Sequence, residues 1–71
     1  MNKKRRKKIQ ELIRKLQNLV QDILDEEQDA YDNMPEGLQE SENGINSMDA
    51  QENLEAAVEA LEEAVDYLEE I

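Results

Sequence analysis

The side chains of this sequence best able to do chemistry are carboxylates. Glu52, Glu55, Glu59, Glu62, Glu63, Asp66, Glu69 and Glu70 follow one another at intervals of one to four residues. On a helix they span about 27 Å, one negative charge per roughly 3.4 Å, which is the phosphate spacing along one DNA strand. A surface of this kind fits a basic groove built for nucleic acid. Its plainer reading is a solvated helix face.

The opposite charge is concentrated at the other end. Lys3, Lys4, Arg5, Arg6, Lys7 and Lys8 form an unbroken run, and Arg14 and Lys15 complete the basic residues, in a chain of formal net charge −11. Against Glu11 alone these eight bases make residues 1–15 +7, while residues 16–71 hold 18 acids and no base. Such a run can contact phosphates with a steep salt dependence. No aromatic residue accompanies it, however, and the rest of the chain repels phosphate, so nucleic acid is a partner only through this arm. Membrane binding is not expected, because the helix face below the run is needed for a core.

Other chemistry is poorly served. The absence of cysteine excludes disulfides and thiolate metal sites, and the absence of histidine removes the commonest general base and transition-metal ligand. Asp32 to Gly37 has the outline of a calcium loop, but Met34 at its third position and Asn43 at its twelfth cannot supply the carboxylates such a loop requires. Asp22, Asp25, Glu26, Glu27 and Asp29 could hold a divalent cation only loosely. Tyr31 and Tyr67 read as half-buried amphipathic rings at opposite ends of the fold. The expectation is a protein that is not an enzyme and needs no cofactor.

The elements that must carry these groups are helices. From Ile9 the apolar residues recur at Leu12, Ile13, Leu16, Leu19, Val20, Ile23 and Leu24, spacings of three and four that mark one broad helical face. Asn2 is the candidate N-cap, and helix 1 is expected over about 3–32, since Pro35 disfavours helical geometry at Met34. Residues 33–47 hold the only proline and both glycines and read as the connection, with room for one short turn around 35–39. Helix 2 is expected over about 48–71, capped by Ser47 or Asp49. It carries a seven-residue repeat with Leu54, Leu61 and Leu68 at d, Val58 and Val65 at a, and Ala50, Ala57 and Ala64 at g.

The fold class expected is therefore all-α: a single domain over residues 1–71, built as an antiparallel helical hairpin. Folding it pairs Leu12 with Leu68, Leu16 with Val65, Leu19 with Leu61 and Ile23 with Val58. One partner helix covers only one of helix 1's two stripes. The second, Ile13, Val20, Leu24 and Tyr31, is then the expected oligomer interface, giving a dimeric four-helix bundle. A core this small seldom supplies more than about 3–5 kcal/mol, and without disulfides or metal, oligomerisation is the remedy left. The hairpin also brings the basic run beside Glu62, Glu63, Asp66, Glu69 and Glu70, so that each group's unfavourable position on its own helix dipole is offset by the other.

The stretches KKRRKKIQELI, ILDEEQDAYDNMPEGLQ and LEEAVDYLEEI together resemble small uncharacterised proteins encoded by phages and prophages of Gram-positive bacteria. The resemblance implies a setting and no activity: a small accessory protein inside a bacterial cell, often acting by binding another protein. A cytoplasmic location follows from it and from the lack of a recognisable signal peptide or membrane span. The function expected is non-enzymatic binding that modulates or inhibits a host or phage protein with a basic surface, in the manner of a nucleic-acid mimic. A nucleic-acid-associated protein using its basic arm, and a purely structural assembly module, are the alternatives.

Overall fold

A computed structural model, which describes residues 2–70, is all-helical: α1 (Lys3–Asp32), a single turn α2 (Glu36–Gln39) and α3 (Glu42–Glu69). α1 and α3 pack along their lengths and α2 packs on α3. The result is a rod of 54 × 14 × 11 Å with a radius of gyration of 16.3 Å, against about 11 Å for a compact domain of this length.

The helix ends follow from local chemistry. The Asn2 side-chain oxygen accepts the Arg5 backbone N–H at 2.8 Å and so satisfies one of the free donors at the start of α1. At the other end the Asn33 N–H donates to the Asp29 carbonyl and the Met34 N–H to that of Tyr31, and Pro35 then ends the helix. α2 is wound on Pro35, whose carbonyl accepts from the N–H groups of Leu38 and Gln39.

α3 starts at Glu42, ahead of the expected 48, and its N-cap is Ser41 rather than Ser47 or Asp49. The physical reason lies at Gly44. A helical glycine costs about 1 kcal/mol relative to alanine, which argued for a loop here. This glycine is buried, and a Cβ on it would lie 1.9 Å from the Gln39 carbonyl oxygen. The missing side chain lets α3 begin directly against the end of α2. Ser41 directs its hydroxyl back to the Leu38 carbonyl, and Ser47 is buried two turns into the pairing of the helices.

The pairing uses one seam on each helix, with residues alternating three and four apart. On α3 it runs Gly44, Ser47, Gln51, Leu54, Val58, Leu61, Val65 and Leu68, each buried or half-buried. On α1 it runs Gln10, Ile13, Gln17, Val20, Leu24, Glu27 and Tyr31, again each buried or half-buried. A hydrogen bond of 2.7 Å from Gln17 Nε2 to Glu62 Oε2 joins the two helices and, to within one residue, sets Val20 level with Val58, Leu24 with Leu54 and Tyr31 with Ser47. Among the described residues Leu24 and Val65 are the buried large apolar side chains, at 4% and 1% exposure. Near the connection the seam turns polar, and Gln51 Nε2 donates to the buried Ser47 hydroxyl at 3.4 Å.

This reverses the expected use of the two stripes. Ile13, Val20, Leu24 and Tyr31, expected to meet another copy, form the inside of the hairpin. Leu12, Leu16, Leu19 and Ile23, expected to meet Leu68, Val65, Leu61 and Val58, face away, with Leu12 58% and Leu19 55% exposed. The stripes lie about 100° apart on α1, and the connection decides between them. Gln39 Nε2 donates to the Tyr31 carbonyl at 3.0 Å, while the Gln39 backbone abuts Gly44. Together these contacts bring the bulky Tyr31 row over the small residues that begin the α3 seam.

Gly44→Ala should therefore lower stability by about 1–3 kcal/mol through overpacking, the reverse of the usual effect in a helix. Gly37→Ala, whose Cβ meets nothing within 4 Å, should be neutral or stabilising by up to about 1 kcal/mol. Urea unfolding of the two variants beside the parent protein reads both signs.

Candidate functional site

The α3 seam dictates where its acids go. Glu55, Glu62 and Glu69 share one seven-residue row, Glu52, Glu59 and Asp66 the next, and Glu63 and Glu70 the one after. Three adjacent rows cover about 100° of a helix. All eight carboxylate residues are exposed, with Glu55, Glu62 and Glu69 in the row beside the seam and the other five on the side of α3 away from it. Two of them are engaged by α1: Glu62 accepts from Gln17, and Glu69 lies 3.8 Å from the Arg14 guanidinium. Both partners of that ion pair are more than half exposed, so it is worth about 0–1 kcal/mol.

The acid rows weaken the helix that bears them. Glu55 and Glu59, Glu59 and Glu63, and Glu62 and Asp66 stand four residues apart, and each such like-charge pair costs about 0.2–0.5 kcal/mol in an isolated helix. The last turn of α3 has no basic residue, so the helix dipole is unfavourable there as well. Apart from Glu62 and Glu69, which α1 engages, folding gains nothing from this concentration of charge.

The basic arm is placed differently from the expectation. Arg14 meets Glu69, so Lys3 to Lys8, further toward the start of α1, stand at or beyond the last described turn of α3. Lys3, Lys4, Arg5, Lys7 and Lys8 are exposed and Arg6 is half-buried. Among the described residues the ion pair between the two ends of the hairpin is made by Arg14 and not by the run. The run projects past the acids it was expected to cover.

The remaining candidates gain no enclosure. Glu63, Asp66, Tyr67 and Glu70 line an open hollow of about 330 Å³. All four belong to the last turns of α3, so it is a dent on one helix. Tyr67 is 72% exposed, which corrects its reading as a half-buried ring, whereas Tyr31 is half-buried at the connection. Among the described residues no three acidic side chains converge to hold a metal ion, the group from Asp22 to Asp29 included. No described helix is long and apolar enough to cross a membrane.

Sequence reasoning missed the hydrogen bond from the Gln17 amide to the Glu62 carboxylate, because apolar spacing alone does not mark a polar residue as part of the seam. The signal was the unbroken alternation of three and four through Ile13, Gln17, Val20 and Leu24. Comparison with protein-family models, with curated proteins and with solved structures found no match to this chain.

With one exposed attractive pair set against many repulsive neighbours, added salt should stabilise the hairpin by screening the repulsion. Thermal unfolding followed by circular dichroism should give a higher midpoint in 0.5 M than in 20 mM sodium chloride. A lower midpoint would show that attraction between the ends outweighs the repulsion along α3.

Proposed function

We propose that this chain is a non-enzymatic, phage-type protein-binding module, assembled as a dimeric four-helix bundle. Its α3 carboxylate face engages a basic, nucleic-acid-handling surface of a host or phage protein and inhibits it by occupying the place of nucleic acid. One observation carries the reading: eight exposed carboxylates occupy three adjacent rows of one rigid helix, at the charge spacing of a nucleic-acid strand and at a cost to the helix itself. The resemblance to small phage proteins agrees with a partner inside a bacterial cell.

The exposure of the basic arm supports a second reading, in which Lys3 to Lys8 bind nucleic acid directly. Two variants separate the readings. Tagged protein incubated with nuclease-treated lysate of a Gram-positive bacterium should retain a partner that duplex DNA displaces in proportion to its concentration. Glu59→Gln, Glu62→Gln, Asp66→Asn and Glu69→Gln combined should abolish that capture, while Gln at Lys3 through Lys8 should leave it within about twofold, since rim charges away from a contact contribute little. Loss of capture only with the second variant would move the function to the arm.

A further inference from the structure

The hairpin leaves its most apolar stripe uncovered. Leu12, Leu16, Leu19 and Ile23 are each 43–58% exposed, and half-buried Ile9 continues their line. Half-exposed side chains of this size present on the order of 400 Å² together, comparable to the largest patch on most monomers. The whole chain exposes 5524 Å², where a compact monomer of its mass would expose about 4,600 Å². The excess is close to the roughly 800 Å² that each partner buries in a standard interface.

We infer that this stripe is covered by the same stripe of a second copy, running antiparallel to it across a two-fold axis between Leu16 and Leu19. The inference rests on the dimer proposed above and assigns its interface. Intervals of four, three and four residues separate Leu12, Leu16, Leu19 and Ile23, and that pattern reads the same in both directions. Antiparallel alignment sets Leu12 opposite Ile23 of the second copy and Leu16 opposite its Leu19, as a two-fold interface requires.

Charge then selects the orientation. The exposed row beside the stripe reads Lys8, Lys15, Asp22, Asp29 at intervals of seven. In the antiparallel pairing Lys8 stands near Asp29 of the second copy and Lys15 near its Asp22. A parallel pairing sets the two copies of this row on opposite sides of the interface and makes none of these pairs, and a seven-residue slip of the antiparallel pairing sets Lys15 against Lys15 or Asp22 against Asp22. The basic arm also comes beside Glu27, Asp29 and Asp32 at the far end of the other α1. Its positive charge then lies at the negative end of that helix's dipole.

The same axis suits α3. The flank of α1 bearing Arg14 faces the flank of α3 bearing Glu69, so the apolar stripe lies on the opposite flank, beside Ala50, Ala57 and Ala64. The axis between Leu16 and Leu19 passes level with Leu61, midway between Ala57 and Ala64. The two copies of α3 thus meet through small side chains, which permit close approach. With stripe and seam about 100° apart on α1, the four helices stand at the corners of a square, as in a four-helix bundle. The carboxylate face remains on the outside.

Sedimentation equilibrium on the full chain tests this assignment. The parent protein should be a dimer. Leu16→Asp with Leu19→Asp should keep its helical circular dichroism and weaken self-association by at least about 100-fold, because the side chains removed are buried only between copies. Lys8→Glu with Lys15→Glu, and separately Asp22→Lys with Asp29→Lys, should each weaken it, and an equimolar mixture of the two should restore a dimer. In the otherwise cysteine-free chain, Leu12→Cys with Ile23→Cys should give, on oxidation, an intermolecular disulfide joining position 12 to position 23. A monomeric parent would overturn the dimer itself. A parent dimer unaffected by the aspartates, or a disulfide joining 12 to 12, would overturn only the interface or its polarity.

Discussion

Everything in this molecule depends on how two long amphipathic helices divide their apolar residues between one contact inside the hairpin and what lies outside it. Two helices bury one seam each. Among the described residues that seam includes two buried apolar side chains, Leu24 and Val65, and it gives up several positions to Gln17, Glu27, Gln51, Ser47 and Gly44. The polar positions weaken burial, but they join the helices through Gln17 and Glu62 and let the connection close tightly at Gly44. A seam this thin defines the hairpin's geometry more than it supplies its stability.

The surfaces follow from that choice. Once Leu24 is turned toward Leu54 and Val65 toward Ile13, the carboxylates of α3 are carried to the outer side and the Leu12 stripe to one flank. The acid rows, the basic arm and the uncovered leucines are then three separate features of one rod, each aimed in its own direction. The proposed binding by the acid face and the proposed pairing through the leucines use different surfaces. Screening, dipole placement and like-charge repulsion all weigh against the acid rows as stabilisers, and the role proposed for them is recognition.

The all-helical hairpin was legible in the residues because spacings of three and four are a strong and local signal. Pro35 marked the end of α1, and the seven-residue repeat of Leu54, Leu61 and Leu68 marked the α3 seam. The acid rows could be placed from that repeat alone. What could not be ranked was which of α1's stripes faces inward, since hydrophobicity favours Leu12, Leu16, Leu19 and Ile23 over a seam interrupted by Gln17 and Glu27. That choice belongs to the connection, where a buried glycine and one glutamine side chain set the rotation of α1 about its axis. Gly44 misled for the same reason: its helix propensity is poor, and only the backbone of Gln39 beside it explains why a helix starts there.

The most direct test is an isotope-filtered nuclear Overhauser experiment on methyl groups, in a mixture of labelled and unlabelled chains. Val20 and Leu24 should show contacts to Val58 and Leu54 within one chain, while Leu12 and Leu19, in the row farther from the seam, show none to Leu68 or Leu61 of their own chain. Contacts within one chain from Leu12 to Leu68 and from Leu19 to Leu61 would mean that α1 is turned the other way, and the division of surfaces described above would be wrong.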